Sequence, residues 1–203
     1  MSSLKLKHSG GNGVIIAAPS SNPASDRTLT VPSNADGTIL TNSTPGCILQ
    51  VVSTTKTDTW SESSVAEGSH TGAAISVTIT PSSASNKIFV MAALNIGLNT
   101  DNEVSFAFFR GGSILTGAIG DAASNRLRTG FGGKCESSSA TENLSGFYLD
   151  SPSTTSATTY DCRLSHGHNG GGRTMYLNRS STDADNDQDS RFASTITVVE
   201  IAG

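Results

Sequence analysis

The sequence predicts an all-β protein: a short N-terminal β-segment over residues 1–45, followed by a jelly-roll-like β-sandwich over residues 46–203. Three observations carry this. Charged residues make up 15% of the chain, against about 25% in an average domain, and Ser, Thr, Asn and Gly stand in their place. Thr hydroxyls suit the open face of a pleated sheet, while Gly and Asn supply turns. Apolar and polar residues also alternate at period two in one segment after another. Amphipathic helix is nearly absent; residues 61–67 and 121–128 are the candidates, each a turn or two.

The N-terminal pieces are short. Leu4 and Leu6 alternate with Lys5 and Lys7, and Gly10-Gly11-Asn12-Gly13 forms a turn into an apolar run at 14–18. Residues 19–26 read as loop, 27–31 as a strand, 32–37 as an Asp-Gly turn and 38–40 as a last short strand. These pieces carry too few apolar side chains to bury a core in one copy. From residue 46 the strands lengthen. Residues 47–53 open the sandwich, and Ile75, Val77 and Ile79 alternate with Ser76, Thr78 and Thr80. Ile88, Val90, Ala92, Leu94 and Ile96 form one face of a strong strand whose other face carries Phe89, Met91 and Ala93, so both faces are expected to be covered. Strands follow at 104–108, 144–149, 160–164, 174–177 and 194–201. Eight strands with turns between them read as a sandwich. The thin N-terminal core and the two-sided strand together predict a homotrimer, since unpaired short strands need partners and cyclic symmetry supplies them.

A net charge of −4 with no basic run argues against nucleic acid as a partner. No stretch approaches the roughly 18–20 apolar residues that span a bilayer, so membrane insertion is not expected. The start, Met1 to Lys7, lacks the apolar core and cleavage site of a secretory leader, and synthesis in a cytoplasm is expected. Cys47, Cys135 and Cys162 are odd in number and widely spaced, which predicts free thiols, with a Cys135–Cys162 bridge as the alternative.

No constellation tied to a reaction mechanism is visible, so an enzyme is not expected and no cofactor is implied. Asp183, Asp185, Asp187 and Asp189 alternate around Asn186 in the manner of calcium ligands. The sixth and twelfth positions of such a loop are Gln188 and Ser194, neither a calcium-loop residue, so a solvated acidic loop is the expectation. His166 and His168 precede Asn169 and a Gly run, which predicts an exposed loop tip rather than a metal site. Trp60 is expected in a core or a subunit contact, and Arg110 in an ion pair.

Several segments together resemble fibre-like virion proteins of tailed bacteriophages, particularly marine and cyanobacterial ones. At the N-terminus they are Leu4-Lys5-Leu6-Lys7-His8-Ser9-Gly10-Gly11-Asn12, residues 17–32 and Asn34-Ala35-Asp36-Gly37-Thr38-Ile39-Leu40. Further on they are Gly46-Cys47-Ile48-Leu49-Gln50-Val51-Val52, residues 79–88, Phe147-Tyr148-Leu149-Asp150-Ser151-Pro152, Tyr176-Leu177-Asn178-Arg179-Ser180 and residues 193–201. The resemblance implies a short intertwined N-terminal β-segment and a trimeric jelly-roll head on a virion surface: a tail fibre or receptor-binding knob, or alternatively a capsid-decorating head fibre. A carbohydrate-active enzyme is the outside alternative. The expected partners are further copies of the chain, other tail or capsid proteins, and a host-surface glycan or protein. Leu4, Lys5, Leu6 and Lys7 are the candidate particle-attachment residues, Lys5 and Lys7 being the close basic pair near that end of an acidic chain. His166, His168, Asn169 and Asn186, on the Gly- and Asn-rich loops 165–172 and 181–190, are the candidate receptor contacts.

Overall fold

The computed structural model describes residues 3–17, 44–167, 170–187 and 189–203. The chain divides into two compact units, Met1–Ile39 and Leu40–Gly203. In the first, strands β1 (Ser3–Lys7) and β2 (Gly13–Ala17) pair antiparallel, Leu6 opposite Val14 and Lys5 opposite Ile15. Gly11, at φ 101°, makes the turn that most side chains resist, and the His8 amide donates to the Asn12 carbonyl at 2.7 Å to close it. The expected strands at 27–31 and 38–40, with the loop and turn between 19 and 37, lie outside the described residues.

In the second unit the strands are β3 (Ile48–Lys56), β4 (Trp60–Val65), β5 (Ile75–Ile79), β6 (Lys87–Leu98), β7 (Asn102–Arg110), β8 (Ser113–Ile114), β9 (Phe131–Cys135), β10 (Thr141–Asp150), β11 (Thr158–His166), β12 (Arg173–Leu177) and β13 (Ser194–Ile201). Setting aside β4, β8 and β12, the strands pair from the outside inward: β3 with β13, β5 with β11, β6 with β10, β7 with β9. One antiparallel ribbon is thus rolled into two sheets, β3-β13-β6-β10 and β5-β11-β7-β9, which is the strand order of a jelly roll. Strand β12 takes over the edge of β6 beyond β13, at Met175 opposite Leu98, and β4 pairs outside it.

The core lies between the sheets. Ile88, Val90, Leu94, Ile96 and Leu98 of β6 face Phe106 and Phe108 of β7 and Tyr160, Cys162 and Leu164 of β11, all fully buried. Phe131 stacks on Phe106 with ring centroids 5.1 Å apart. Its ring occupies the place a side chain at residue 146 would need, which is why Gly146 sits on the inward face of β10. Arg110 and the Tyr160 hydroxyl both donate to Asp150 Oδ2 at 2.7 Å, so Arg110 does close an ion pair.

Two segments read as possible helix turned out otherwise. Residues 60–65 form β4, because pairing with β12 supplies the ladder that the polar sequence Trp-Ser-Glu-Ser-Ser does not advertise. Residues 121–128 carry one turn, and the single helical element among the described residues is a 3₁₀ turn at Thr116–Ala118. Strand β9 escaped the pattern reading because Gly132 and Gly133 erase its alternation. The three cysteines are free; Cys135 and Cys162 are buried on β9 and β11 with β7 between them, so the alternative bridge is not formed.

Candidate functional site: two ends and one bare face

The strand registers give the sandwich a direction. Ile201 pairs with Lys87 and with Ile48, so β3 begins, β13 ends and β6 begins at one end, here termed proximal. Gly46 and Ala202 hydrogen-bond there at 2.8 Å. Leu98, Asn102, Thr141 and His166 mark the opposite, distal end.

The proximal end is tied by a buried carboxylate. Glu200, fully buried on the inward face of β13, accepts from Gln50 Nε2 at 2.6 Å, the Ser82 amide at 2.6 Å, Ser82 Oγ at 2.9 Å and Asn86 Nδ2 at 2.6 Å. Burial by itself pushes this carboxyl upward, but the bonds from Asn86, Gln50 and Ser82 outweigh it and hold the group below its ordinary value. The loop 81–86 and the first strand are thereby fastened to the last.

The distal end holds a cleft of about 910 Å³ between residues 67–68, 123–129 and 166–167, over the start of β7. Glu67, Glu103, Arg126, Ser105, Thr129 and His166 line it. This is a polar, two-signed wall, suited to a ligand rich in hydroxyls or amides. His166 is not at an exposed loop tip. It ends β11, is buried, and its Nε2–H donates to the Val65 carbonyl at 2.9 Å, so it contributes a wall rather than a protruding contact. His168 and Asn169 lie outside the described residues. Asn186 is exposed, and its side chain turns into its own loop, where Oδ1 accepts from the Asp189 amide at 3.2 Å.

The acidic loop is organised by protein donors. Asp189 accepts from Thr182 Oγ1 at 2.8 Å and Ser180 Oγ at 3.0 Å, bonds that lower its carboxyl, and Asp183 faces Arg191 at 2.8 Å and Arg179 at 3.4 Å. Asp185 and Asp187 are exposed. Among the described residues no group of three or more His, Cys, Asp or Glu gathers as a metal would need. Trp60 is half-buried against the core. On the hairpin, Leu4, Lys5, Leu6 and Lys7 all fall on β1; Lys5 and Lys7 share one face with Ile15, and Leu6 shares the other with Ile16.

The feature that alternation did not reveal is the outer face of the β3-β13-β6-β10 sheet. Register places Val51, Val199, Phe89 and Leu149 in one row across four strands, and Ser53, Thr197, Met91 and Phe147 in the next. A third row, Thr55, Thr195, Ala93 and Ser145, is nearly all polar. Phe147 is 69% exposed, Val51 58% and Leu149 50%, and Ile48, opposite Ile201, is 67% exposed. These four are all the exposed large hydrophobics of the second unit among the described residues. Strand 88–96 is apolar on both sides as read; on its outer face Phe89 and Met91 are half-buried and Ala93 is exposed among the described residues.

No family model matches the chain. No curated protein matches it in sequence. Among solved structures it is similar to one described as the structure of infectious bursal disease virus Gx strain, at 12% identity and a TM-score of 0.35, over 98% of this chain and 46% of that one. The chain thus spans about half the length of that structure's chain. What defines the protein here is its own strand order: an all-β jelly roll with a polar distal cleft and a bare apolar sheet face.

Proposed function

We propose that this chain is a non-enzymatic structural protein of a virion surface. It assembles as a homotrimer, attaches through its N-terminal segment, and presents the distal end of the sandwich to a host-surface glycan or protein. The observation that carries the reading is the polarity of the second unit. The chain comes in at the proximal end, locked by Glu200, and the polar cleft opens at the other. Loops held on a rigid sheet far from the point of anchorage are where a binding surface is free to form. Three such ends on one axis turn weak single contacts into a strong joint one. The ordered resemblance of its segments to fibre-like proteins of tailed phages supports a tail fibre or receptor-binding knob as the specific role.

The test is incorporation. A chain lacking residues 1–45 is expected to remain a soluble sandwich and to be missing from particles, whereas a chain lacking the sandwich still attaches. Retention of the truncated chain on particles, with loss of the sandwich-deleted one, overturns the polarity. Imaging of labelled particles then separates density at the tail from density on capsomers, and the second result moves the role to capsid decoration.

A further inference from the structure

We infer that the bare outer face of the β3-β13-β6-β10 sheet is the contact between copies of this chain, the β3 side of one copy packing on the β10 side of the next around a threefold axis. This rests on the trimeric reading above and names the surface that makes it.

The four exposed hydrophobics of this face amount to on the order of 400 Å² at ordinary side-chain areas, within the range of surface patches that are often functional. In a ring each copy uses both edges, so the β3 cluster is the apolar centre of the contact with one neighbour and the β10 cluster that with the other, the Ser and Thr rows bordering them.

The occupant is a copy of the chain for two reasons. First, the three rows hold no charged side chain, and bordering Lys87 already donates to Ser151 Oγ at 2.8 Å. A partner must therefore be equally uncharged, and this face meets that requirement itself. Second, the exposed hydrophobics fall in two clusters at opposite edges of the sheet, Ile48 with Val51 on β3 and Phe147 with Leu149 on β10, while central Val199 is 8% exposed. Two separated clusters on one subunit match a head-to-tail contact, which closes into a ring under cyclic symmetry.

The geometry supplies its own test. Val51 and Leu149 share a row but are separated by β13 and β6, three strand spacings or about 14 Å. A disulfide needs Cα atoms within about 7 Å, so a V51C/L149C pair cannot close within one chain. In a Cys47→Ser background, with Cys135 and Cys162 buried, the double variant is mildly oxidised and run without reductant, and its native mass is taken by light scattering.

The inference predicts a covalent band at three chains and a native mass of three chains, with Val51→Glu alone reducing the native mass threefold while the circular dichroism of the sandwich is kept. A covalent band at two chains overturns the threefold arrangement. A native mass of three chains with no covalent band, and unchanged by Val51→Glu, overturns this face as the contact and leaves the trimer standing on other surfaces. A single-chain mass for the unsubstituted protein overturns the trimer itself.

Discussion

The two sheets of the sandwich treat an outward aromatic in opposite ways. On the β5-β11-β7-β9 sheet, Phe109 points away from the core and is only 8% exposed. The Arg163 guanidinium lies 4.3 Å over its ring and the His70 ring meets it edge-on at 5.4 Å. Asp161 holds Arg163 in place at 2.8 Å, and Ser105 and Ser165 bond to each other at 2.7 Å on the same face. On the other sheet Phe147 is 69% exposed, touched by Phe89 at a centroid distance of 6.0 Å and, among the described residues, stacked under no cation. One chain thus covers an aromatic with its own side chains in one place and leaves one open in another. The difference teaches that the bare face is not a default of this fold. Among the described residues no side chain covers Phe147 as Arg163 and His70 cover Phe109, and in our proposal two further copies of the chain supply that cover.

The comparison breaks most visibly by truncating both aromatics. In the Val51→Glu background, where chains are separated, Phe109→Ala is expected to cost about 3 kcal/mol of unfolding free energy. That lowers Tm by roughly 6–12 °C for a domain of this size. Phe147→Ala in the same background is expected to change stability by less than about 0.5 kcal/mol. Calorimetry on the two variants decides; equal losses would mean that Phe147 is a core residue and the two faces do not differ.

A smaller effect tests whether the proximal end is as rigid as the anchorage requires. Glu200→Gln replaces an acceptor-only group with an amide whose NH₂ faces other donors, and about 2 kcal/mol is expected to be lost. The sign with pH follows from the lowered carboxyl. The stabilisation is complete above the ordinary value of 4.5 and disappears as the pH falls through the lower folded value. Acid melts should therefore show the wild type and Glu200→Gln converging as the pH drops below that range. A gap that persists at the lowest pH would mean that the ionised carboxylate is not what ties the loop. A smaller loss than that of Glu200→Gln is expected of Arg163→Ala, which uncovers Phe109 and should cost about 1 kcal/mol. Chemical denaturation resolves that loss, and no loss at all would mean that the guanidinium is not the cover it is taken for here.

Much of this was legible beforehand, for physical reasons. Ile75, Val77 and Ile79 declare a half-buried strand because one side of each lies against the core. The strand at 88–96 reads as apolar on both faces, which is correct; that its outer Phe89 and Met91 are only half-buried among the described residues needed the structure. Phe147 and Leu149 look like any strand residues until their rows are drawn through Phe89 and Met91. The distal cleft was hidden for a different reason: Glu67, Glu103, Arg126 and His166 come from four separate stretches of chain, and no local spacing links them. His166 was misplaced because the Gly run after it suggests a free loop, while its ring is held back by the Val65 carbonyl. The Glu200 network is equally non-local, joining residues 50, 82, 86 and 200.

The central claim is that an uncharged apolar face holds copies of this chain together. The most direct measurement is the native mass of the full chain by sedimentation equilibrium at low and at high salt. The account predicts three times the chain mass of 20.8 kDa at both, with association as tight or tighter in salt, since screening does not weaken an apolar contact. A mass of one chain, or a trimer that falls apart as salt rises, would contradict it.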